Sequence, residues 1–160
     1  MRVYVGSDHG GIEMREQLTA LLIEWGHEVL ETFGPQSGES ADYPDVAFDL
    51  CRALLASEES EVPAFGLLVC GTGQGMAISA NKFPGIRAGA VSDAFSAKMI
   101  REHNDANVIC LGQRVLGSEL AALILRSYIE STFAGGRHET RVGKINGIGD
   151  QFSSMAKELE

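Results

Sequence analysis

The sequence is short of cysteine, of positive charge and of long apolar runs. Its 160 residues include three cysteines, Cys51, Cys70 and Cys110, without a CxxC pair or a metal-ligand spacing, which argues against a disulfide framework and a zinc site. Lys and Arg number 13 against 22 Asp and Glu, and the net charge of −9 argues against nucleic acid or an anionic membrane as the main partner. No apolar run is long enough to cross a bilayer. The first residues resemble a strand and not an export signal, so we expect a location in the reducing cytoplasm.

Several catalytic signatures are missing as well. The glycines at 71, 73 and 75 are spaced G-x-G-x-G, and Met76 stands where the third glycine of a dinucleotide fingerprint would be. The sequence contains no G-x-x-x-x-G-K-[ST] phosphate loop, no H-E-x-x-H zinc motif and no G-x-S-x-G serine nucleophile. We therefore do not expect a nicotinamide enzyme, a nucleotide hydrolase with such a loop, a zinc hydrolase or a serine hydrolase.

Strand and helix patterns alternate along the chain. Strands are predicted near residues 2–6, 27–32, 65–69, 87–91 and 107–111, and each is followed by a helical segment. In the helix predicted over 117–132, the inward positions are Leu120, Ile124, Tyr128 and Ile129. This alternation predicts an α/β fold, a Rossmann-like three-layer α/β/α sandwich with a five-stranded parallel sheet. We expect one domain over 1–144 and a tail, 145–160, that packs on the domain or on a partner subunit.

Cys70 stands at the most informative point of the chain. It ends the apolar run of residues 65–69 and precedes a glycine-rich turn, and a helix is predicted over 76–82. The turn therefore lies at the carboxyl end of a parallel strand, where open α/β sheets bind ligands. A helix N-terminus favours negative charge and thiolate, so Cys70 is a candidate base or nucleophile. The alternative is an inert buried cysteine, the interpretation that fits Cys51 and Cys110.

Four further polar segments carry groups suited to chemistry. Asp8 and His9 follow the first strand, although such a pair is often only a solvated turn or a helix cap. Tyr43 could contact a substrate hydroxyl, or it could serve with Asp42 to cap the next helix. His103 has a side chain suited to proton transfer near neutral pH, although its segment could be a surface turn.

The last of these segments contains two arginines. Arg137 and Arg141 are four residues apart and would share one face of a helix, where their charges repel unless an anion lies between them. This spacing suits a phosphate clamp, and a solvated basic turn is the alternative.

Taken together, these segments resemble the B-type ribose-5-phosphate isomerases, a family that includes the galactose-6-phosphate isomerase subunits. The resemblance runs in order between residues 2 and 142, and its motifs are Ser7-Asp8-His9-Gly10-Gly11, Asp42-Tyr43-Pro44-Asp45, Cys70-Gly71-Thr72-Gly73, Ser79-Ala80-Asn81-Lys82, His103-Asn104-Asp105-Ala106-Asn107-Val108 and Gly136-Arg137-His138. It implies an aldose–ketose isomerase without metal or cofactor that acts on a phosphorylated sugar. It also implies a homodimer or homotetramer whose active sites are shared between subunits.

The resemblance also implies roles for individual residues. Cys70 matches the thiol base, and because Met76 stands where some members carry a glutamate base, the chain resembles the thiol subtype. Thr72 and the amides of Gly71, Gly73 and Gly75 would stabilise an enediolate. The remaining matches are His103 for ring opening with Asp8 as its polar partner, Asn104 for a substrate hydrogen bond, Tyr43 for a substrate hydroxyl, and His9, Arg114, Arg137 and Arg141 for the phosphate.

Some positions depart from the family's pattern. Residues 57–63 form a longer and more acidic connection, residues after Val142 are distinctive, and Gln74 stands at a variable position. We expect interconversion of ribose 5-phosphate and ribulose 5-phosphate, with allose 6-phosphate, galactose 6-phosphate or a tetrose phosphate as alternative substrates. A non-catalytic sugar-phosphate-binding module and a cysteine hydrolase using His9 or His103 are alternatives of other classes.

Overall fold

The computed structural model of the chain describes residues 1–37, 39–57 and 62–158, with side chains described as far as residue 148. Most of the acidic connection at 57–63 lies outside the described residues. The elements follow in the order β1 (Arg2–Ser7), α1 (Ile12–Glu24), β2 (Glu28–Phe33), α2 (Tyr43–Ala56), β3 (Ala64–Cys70), α3 (Gln74–Ala80), β4 (Ala88–Ala90), α4 (Ala94–Asn104), β5 (Val108–Gly112), α5 (Ser118–Ile129) and α6 (Arg137–Glu158).

The strands form one parallel sheet in the order β2-β1-β3-β5-β4. This confirms the predicted α/β fold with its five-stranded parallel sheet. β3 and β5 lie inside the sheet, and all of their residues are buried except Ala64 at the start of β3. Because both faces of such strands are covered, they consist of almost continuous apolar residues, which is why the sequence revealed them clearly.

Two apolar clusters fill the two sides of the sheet. One contains Leu18 of α1 and Ile124 of α5, and the other contains Leu50 of α2 and Met76 of α3. The prediction that Leu120 faces inward is wrong, since its side chain is 41% exposed. The buried positions of α5 are Ala121, Ile124, Leu125 and Tyr128, and this i, i+3, i+4, i+7 stripe leaves position 120 at its margin.

The C-terminal part of the described chain is helical. α6 begins at Arg137 and runs without a break past residue 144, the boundary predicted between domain and tail. Among the residues that the structure describes, no helix has the length and apolarity needed to cross a membrane.

Candidate active site

Cys70 ends β3 inside a tight glycine turn. Its side chain is 5% exposed, and its Sγ accepts a hydrogen bond of 3.1 Å from the backbone N–H of Gly73. Gly73 has a φ of +78°, and a Cβ there would lie 3.1 Å from the carbonyl carbon of Leu111. A side chain at position 73 would therefore be strained and crowded. The glycine allows its N–H to point at the sulfur, where it would stabilise a thiolate.

The other two cysteines differ from Cys70 in their surroundings. Cys51 and Cys110 are fully buried on the same side of the sheet. Burial raises the pKa of Cys51 to about 12. Burial also raises the pKa of Cys110, with smaller contributions from the neighbouring thiols of Cys51 and Cys70. Their thiols therefore stay protonated near neutral pH, in agreement with the interpretation of both as core residues.

The loop after β5 packs against the cysteine turn. The N–H of Gln113 donates to the carbonyl oxygen of Cys70 at 2.9 Å, and the N–H of Arg114 donates to that of Gly71 at 3.0 Å. The Arg114 side chain is exposed and runs along Gly71, where a Cβ would lie 3.5 Å from its Nε. These backbone hydrogen bonds therefore hold the guanidinium of Arg114 beside the turn.

The Asp8 loop lies against the other side of this turn. Asp8 is 8% exposed, and its Oδ1 accepts a hydrogen bond of 2.8 Å from the N–H of Gly10. A Cβ on Gly10 would lie 3.3 Å from the backbone nitrogen of Gly71, which is a tight contact, so glycine at position 10 favours the close approach of the loop. Burial of Asp8 excludes the interpretation of this carboxylate as part of a solvated turn.

Tyr43 and His9 border the same turn. The Tyr43 ring lies over Gly75, where a Cβ would come within 2.8 Å of its Cε2. Asp42 occupies the N-cap position of α2, although its side chain makes no capping hydrogen bond. His9 is exposed, and its Nδ1 lies 3.2 Å from the carbonyl oxygen of Ala41. Since a carbonyl only accepts, this bond requires the proton on Nδ1.

These residues form one group at the carboxyl end of the sheet. We name it the carboxyl-edge cluster, and its members are Asp8, His9, Tyr43, Cys70, Gly71, Thr72, Gly73, Gly75 and Arg114. Thr72 is exposed, and its Oγ1 accepts a hydrogen bond of 3.4 Å from the N–H of Gln74. A cavity of about 160 Å³ beside the turn is lined by Thr72, Gln74, Ser92, Gly112 and Val115, among others.

The remaining predicted residues, His103, Asn104, Arg137 and Arg141, form a second group with His138, and we name these five residues the amino-edge cluster. His103 and Asn104 are the last residues of α4. The ring of His103 stacks on that of His138 with centroids 4.1 Å apart, and Arg137 Nε donates to His138 Nε2 at 3.3 Å. Arg137 and Arg141 lie in the first turns of α6 with exposed side chains.

His138 is held in its neutral form. Its Nε2 accepts the hydrogen bond from Arg137, so its ring proton is on Nδ1. Burial lowers the pKa of His138, and the nearby His103, Arg137 and Arg141 lower it further. The sequence predicts no role for His138, because nothing local in the sequence shows that its ring meets that of His103.

The two clusters lie at opposite edges of the sheet. α4 starts beyond the carboxyl end of β4, and its last residues lead into the start of β5. Its 11 residues correspond to about 16 Å of helix. Within one chain His103 therefore cannot approach Cys70, which contradicts the cysteine hydrolase alternative for that pair.

The donor sets suit an organic anion. Each cluster contains cationic side chains, Arg114 in one and Arg137 and Arg141 in the other. In the part of the chain that the structure describes, no group of three or more His, Cys, Asp and Glu side chains is arranged to hold a metal ion.

Comparison with known proteins identifies the family. The family model for ribose/galactose isomerases matches residues 3–145. The chain belongs to this isomerase family. Ribose-5-phosphate isomerase B of Escherichia coli is 41% identical over 147 residues, which cover 92% of this chain and 95% of that protein. D-erythrulose-4-phosphate isomerase of Pectobacterium atrosepticum is 38% identical over 145 residues, which cover 91% of this chain and 93% of that protein.

A solved structure agrees with this assignment. The structure of ribose-5-phosphate isomerase B from Clostridium thermocellum has 43% sequence identity and a TM-score of 0.88, and the match covers 95% of this chain and 99% of that chain. The family resemblance inferred from the sequence motifs is therefore confirmed.

Proposed function

We propose that this isomerase interconverts D-ribose 5-phosphate and D-ribulose 5-phosphate with Cys70 as the base. The single observation that carries the proposal is the position of Cys70 Sγ, 3.1 Å from the N–H of Gly73 in a turn at the carboxyl edge. The name of the E. coli relative supports the choice of substrate. The amides of Gly71, Gly73 and Gly75 and the hydroxyl of Thr72 lie in the same turn and supply donors for a negatively charged intermediate.

The reaction needs one base that acts twice. The thiolate of Cys70 takes the proton from C2 of the open-chain aldose, the C–H electrons form a C1=C2 double bond, and the carbonyl electrons move to O1. A proton moves from O2 to O1 in the resulting cis-enediolate. The C2=O bond then forms, and the thiol returns its proton to C1. His103, with Asp8, would open the furanose ring before these steps, and Asn104 and Tyr43 would hold sugar hydroxyls.

The phosphate would bind exposed basic side chains. His9 and Arg114 lie in the carboxyl-edge cluster, and Arg137 and Arg141 lie four residues apart on α6. Guanidinium groups bind phosphate through paired charge-assisted hydrogen bonds. In an acidic chain, these groups supply the local positive charge that an anionic substrate requires.

A complete site requires a second copy of the chain. Because the two clusters lie at opposite edges of one sheet, we propose that the carboxyl-edge cluster of one subunit faces the amino-edge cluster of its partner in a homodimer or in a tetramer built from such dimers. A two-fold axis then creates two equivalent sites.

Mixed dimers test this arrangement. Chains carrying Cys70→Ala and His103→Asn would be co-expressed with different affinity tags, and dimers containing one of each would be isolated. One site of that dimer has both substitutions and the other has neither, so we expect about half of the wild-type activity per dimer. If each site were formed within a single chain, every site of the mixed dimer would carry one substitution and the dimer would be inactive.

The first assay is ketose formation from ribose 5-phosphate, with Cys70→Ala as the control. We expect turnover by the wild type and a loss of about 10²–10⁴-fold in the variant, as for removal of a general base. The Pectobacterium relative is named for a tetrose phosphate, so tetrose and hexose phosphates belong in the assay. Activity on another phosphosugar alone would change the substrate and keep the thiol mechanism. Inactivity on all of them would favour the non-catalytic binding module.

The proposal also includes a location. The three cysteines are buried and free, which suits a reducing compartment, and we propose the cytoplasm.

A further inference from the structure

Arg87 lies just before β4, and every nitrogen of its guanidinium donates hydrogen bonds to acceptors in the same chain. Its Nε donates to the carbonyl oxygens of Asn104 at 3.1 Å and Asp105 at 2.9 Å. Its Nη2 donates to the carbonyl oxygen of Asp105 at 2.7 Å and to the carboxylate of Asp105 at 3.0 Å. Its Nη1 donates to the carbonyl oxygen of Gly85 at 3.2 Å and to the amide oxygen of Asn146 at 3.4 Å. The five N–H groups of an arginine are thus all directed at acceptors.

The turn that receives these bonds has an unusual backbone. Asp105 has a φ of +46°, the one positive φ at a non-glycine residue in the described chain. Its carboxylate lies between two arginines, with one oxygen bonded to Arg87 and the other to Arg101. A residue with a side chain rarely adopts this left-handed conformation without support from its surroundings. The two arginines hold Asp105 in this conformation, so the end of α4 depends on them.

This turn directly follows two residues of the amino-edge cluster. His103 and Asn104 are the last residues of α4, where backbone carbonyls have no partner within the helix. Arg87 supplies a partner to the carbonyl of Asn104 and, through Asn146, reaches the helix that carries Arg137 and Arg141. A single, partly buried guanidinium therefore connects both parts of the cluster.

We propose that Arg87 is a positioning residue for the amino-edge cluster and acts on the reaction through His103 and Asn104. The inference rests on the proposed function, in which these two residues meet the substrate. All N–H groups of the Arg87 guanidinium are directed at acceptors in its own chain, so it has no free donor for the substrate. Displacement of a reacting group by 1 Å can cost about 100-fold in rate, so the orientation of this turn matters to catalysis.

The first test compares Arg87→Lys with Arg52→Lys. A lysine keeps the charge but offers one ammonium in place of the planar group, so it cannot reach all three acceptor regions. We expect kcat/KM for the phosphosugar that the wild type isomerises to fall about tenfold or more in Arg87→Lys. Arg52 pairs with Asp49 on the exposed surface of α2, and its replacement should leave kcat/KM unchanged. Wild-type kcat/KM in Arg87→Lys would overturn the proposal.

Mixed dimers separate positioning from a general loss of stability. A dimer of one Arg87→Lys chain and one Cys70→Ala chain contains one site with neither substitution, and we expect about half of the wild-type activity. A dimer of Arg87→Lys with His103→Asn has a substitution in the amino-edge half of both sites, so it should show no such recovery. If the two mixed dimers had equal activity, or if only the second had about half of the wild-type activity, the assignment of Arg87 to the amino-edge cluster would be overturned.

A measurement without substrate tests the role of Arg87 independently of the proposed function. The chain has four histidines, so its imidazole proton–carbon NMR signals can be assigned by single substitutions. In Arg87→Lys we expect the His103 and His138 signals to shift while those of His9 and His27 stay in place. Unchanged His103 and His138 signals would contradict the proposal even if the enzyme proved to use a different substrate. If the wild type turned over no phosphosugar, the proposed function would fail while this readout still decided the role of Arg87.

Discussion

The imidazole rings of His103 and His138 stack with their centroids 4.1 Å apart and their planes 5° from parallel. A positive charge beside one ring disfavours protonation of that ring at this distance. Burial and the positive charges of His103, Arg137 and Arg141 lower the pKa of His138. Near neutral pH, His138 is thus the neutral ring on which His103 stacks.

The first prediction concerns stability against pH. An unfolded histidine titrates near pH 6.5, and His138 in the folded chain titrates below that value. As the pH falls below about 6.5, the unfolded state binds the proton first, so the free energy of unfolding decreases toward the lower folded pKa. Urea unfolding between about pH 7 and about pH 5 should show this decrease, and it should be smaller in His138→Gln, which has no proton to bind.

His27 provides the control for this experiment. Burial and the nearby N-terminal amine lower its pKa, so it contributes a decrease of the same sign. His27→Gln should therefore remove a separate part of the pH dependence, and the double variant should remove both parts. An unchanged pH dependence in His138→Gln would contradict the environment described for this ring.

The second prediction concerns thiol chemistry. Burial raises the pKa of Cys51 to about 12 and raises that of Cys110, and both side chains are fully buried. Cys70 is the cysteine with some exposure and with an N–H directed at its sulfur. Iodoacetamide should therefore modify one cysteine of the native protein, and peptide mass spectrometry should locate the adduct at Cys70.

Substrate and substitution provide the controls for this reaction. A phosphosugar that occupies the site should slow alkylation, and Cys70→Ala should show no fast adduct. Cys51→Ala should be alkylated as fast as the wild type. Fast modification of Cys51 or Cys110 in the native protein would contradict the burial that the structure assigns to them.

The proximity of the carboxyl-edge residues was largely predictable from the sequence, whereas the contacts within the amino-edge cluster were not. Asp8 and Cys70 directly follow strands, and the carboxyl ends of parallel strands meet at one edge of a sheet. His103 instead precedes β5, which puts it at the opposite edge. Its stacking on His138 joins segments 35 residues apart through the packing of α6 on α4, and no local pattern encodes such a contact. The bonds of Arg87 were missed for the same reason, because their acceptors come from three separate segments.

The third prediction concerns the contact between Tyr43 and Gly75. A Cβ at position 75 would lie 2.8 Å from Cε2 of the tyrosine ring, closer than van der Waals contact permits. Gly75→Ala should therefore displace the ring and lower the free energy of unfolding by about 1–3 kcal/mol, as measured by urea denaturation. Because Gly75 lies in α3 and has a negative φ, alanine would otherwise suit this position.

A double-mutant cycle isolates this contact. In Tyr43→Ala the ring is absent, so adding Gly75→Ala should cost nothing or should stabilise the protein slightly. Ile78, exposed on the same helix, can be changed to Ala and to Gly as a control for helix propensity, and the difference between the two should not depend on the residue at position 43. Equal costs of Gly75→Ala with and without Tyr43 would show that the ring does not lie over the turn.

The fourth prediction concerns Arg114 and the substrate's phosphate. Its side chain runs along Gly71, within reach of a ligand in the cysteine turn, and it is exposed and so costs little to replace. A hydrogen bond to a charged group contributes about 1.5–3 kcal/mol, which corresponds to a change of about 10–100-fold in binding. Arg114→Met should therefore raise KM by about that factor, with a smaller change in kcat and an unchanged Tm. Arg52→Met, at an exposed arginine on α2, should leave KM unchanged.

Because salt screens the attraction between exposed charges, KM of the wild type should rise with ionic strength, and this rise should be weaker in Arg114→Met. If Arg114→Met instead lowered kcat and left KM unchanged, the guanidinium would act on the reacting centre and not on the phosphate.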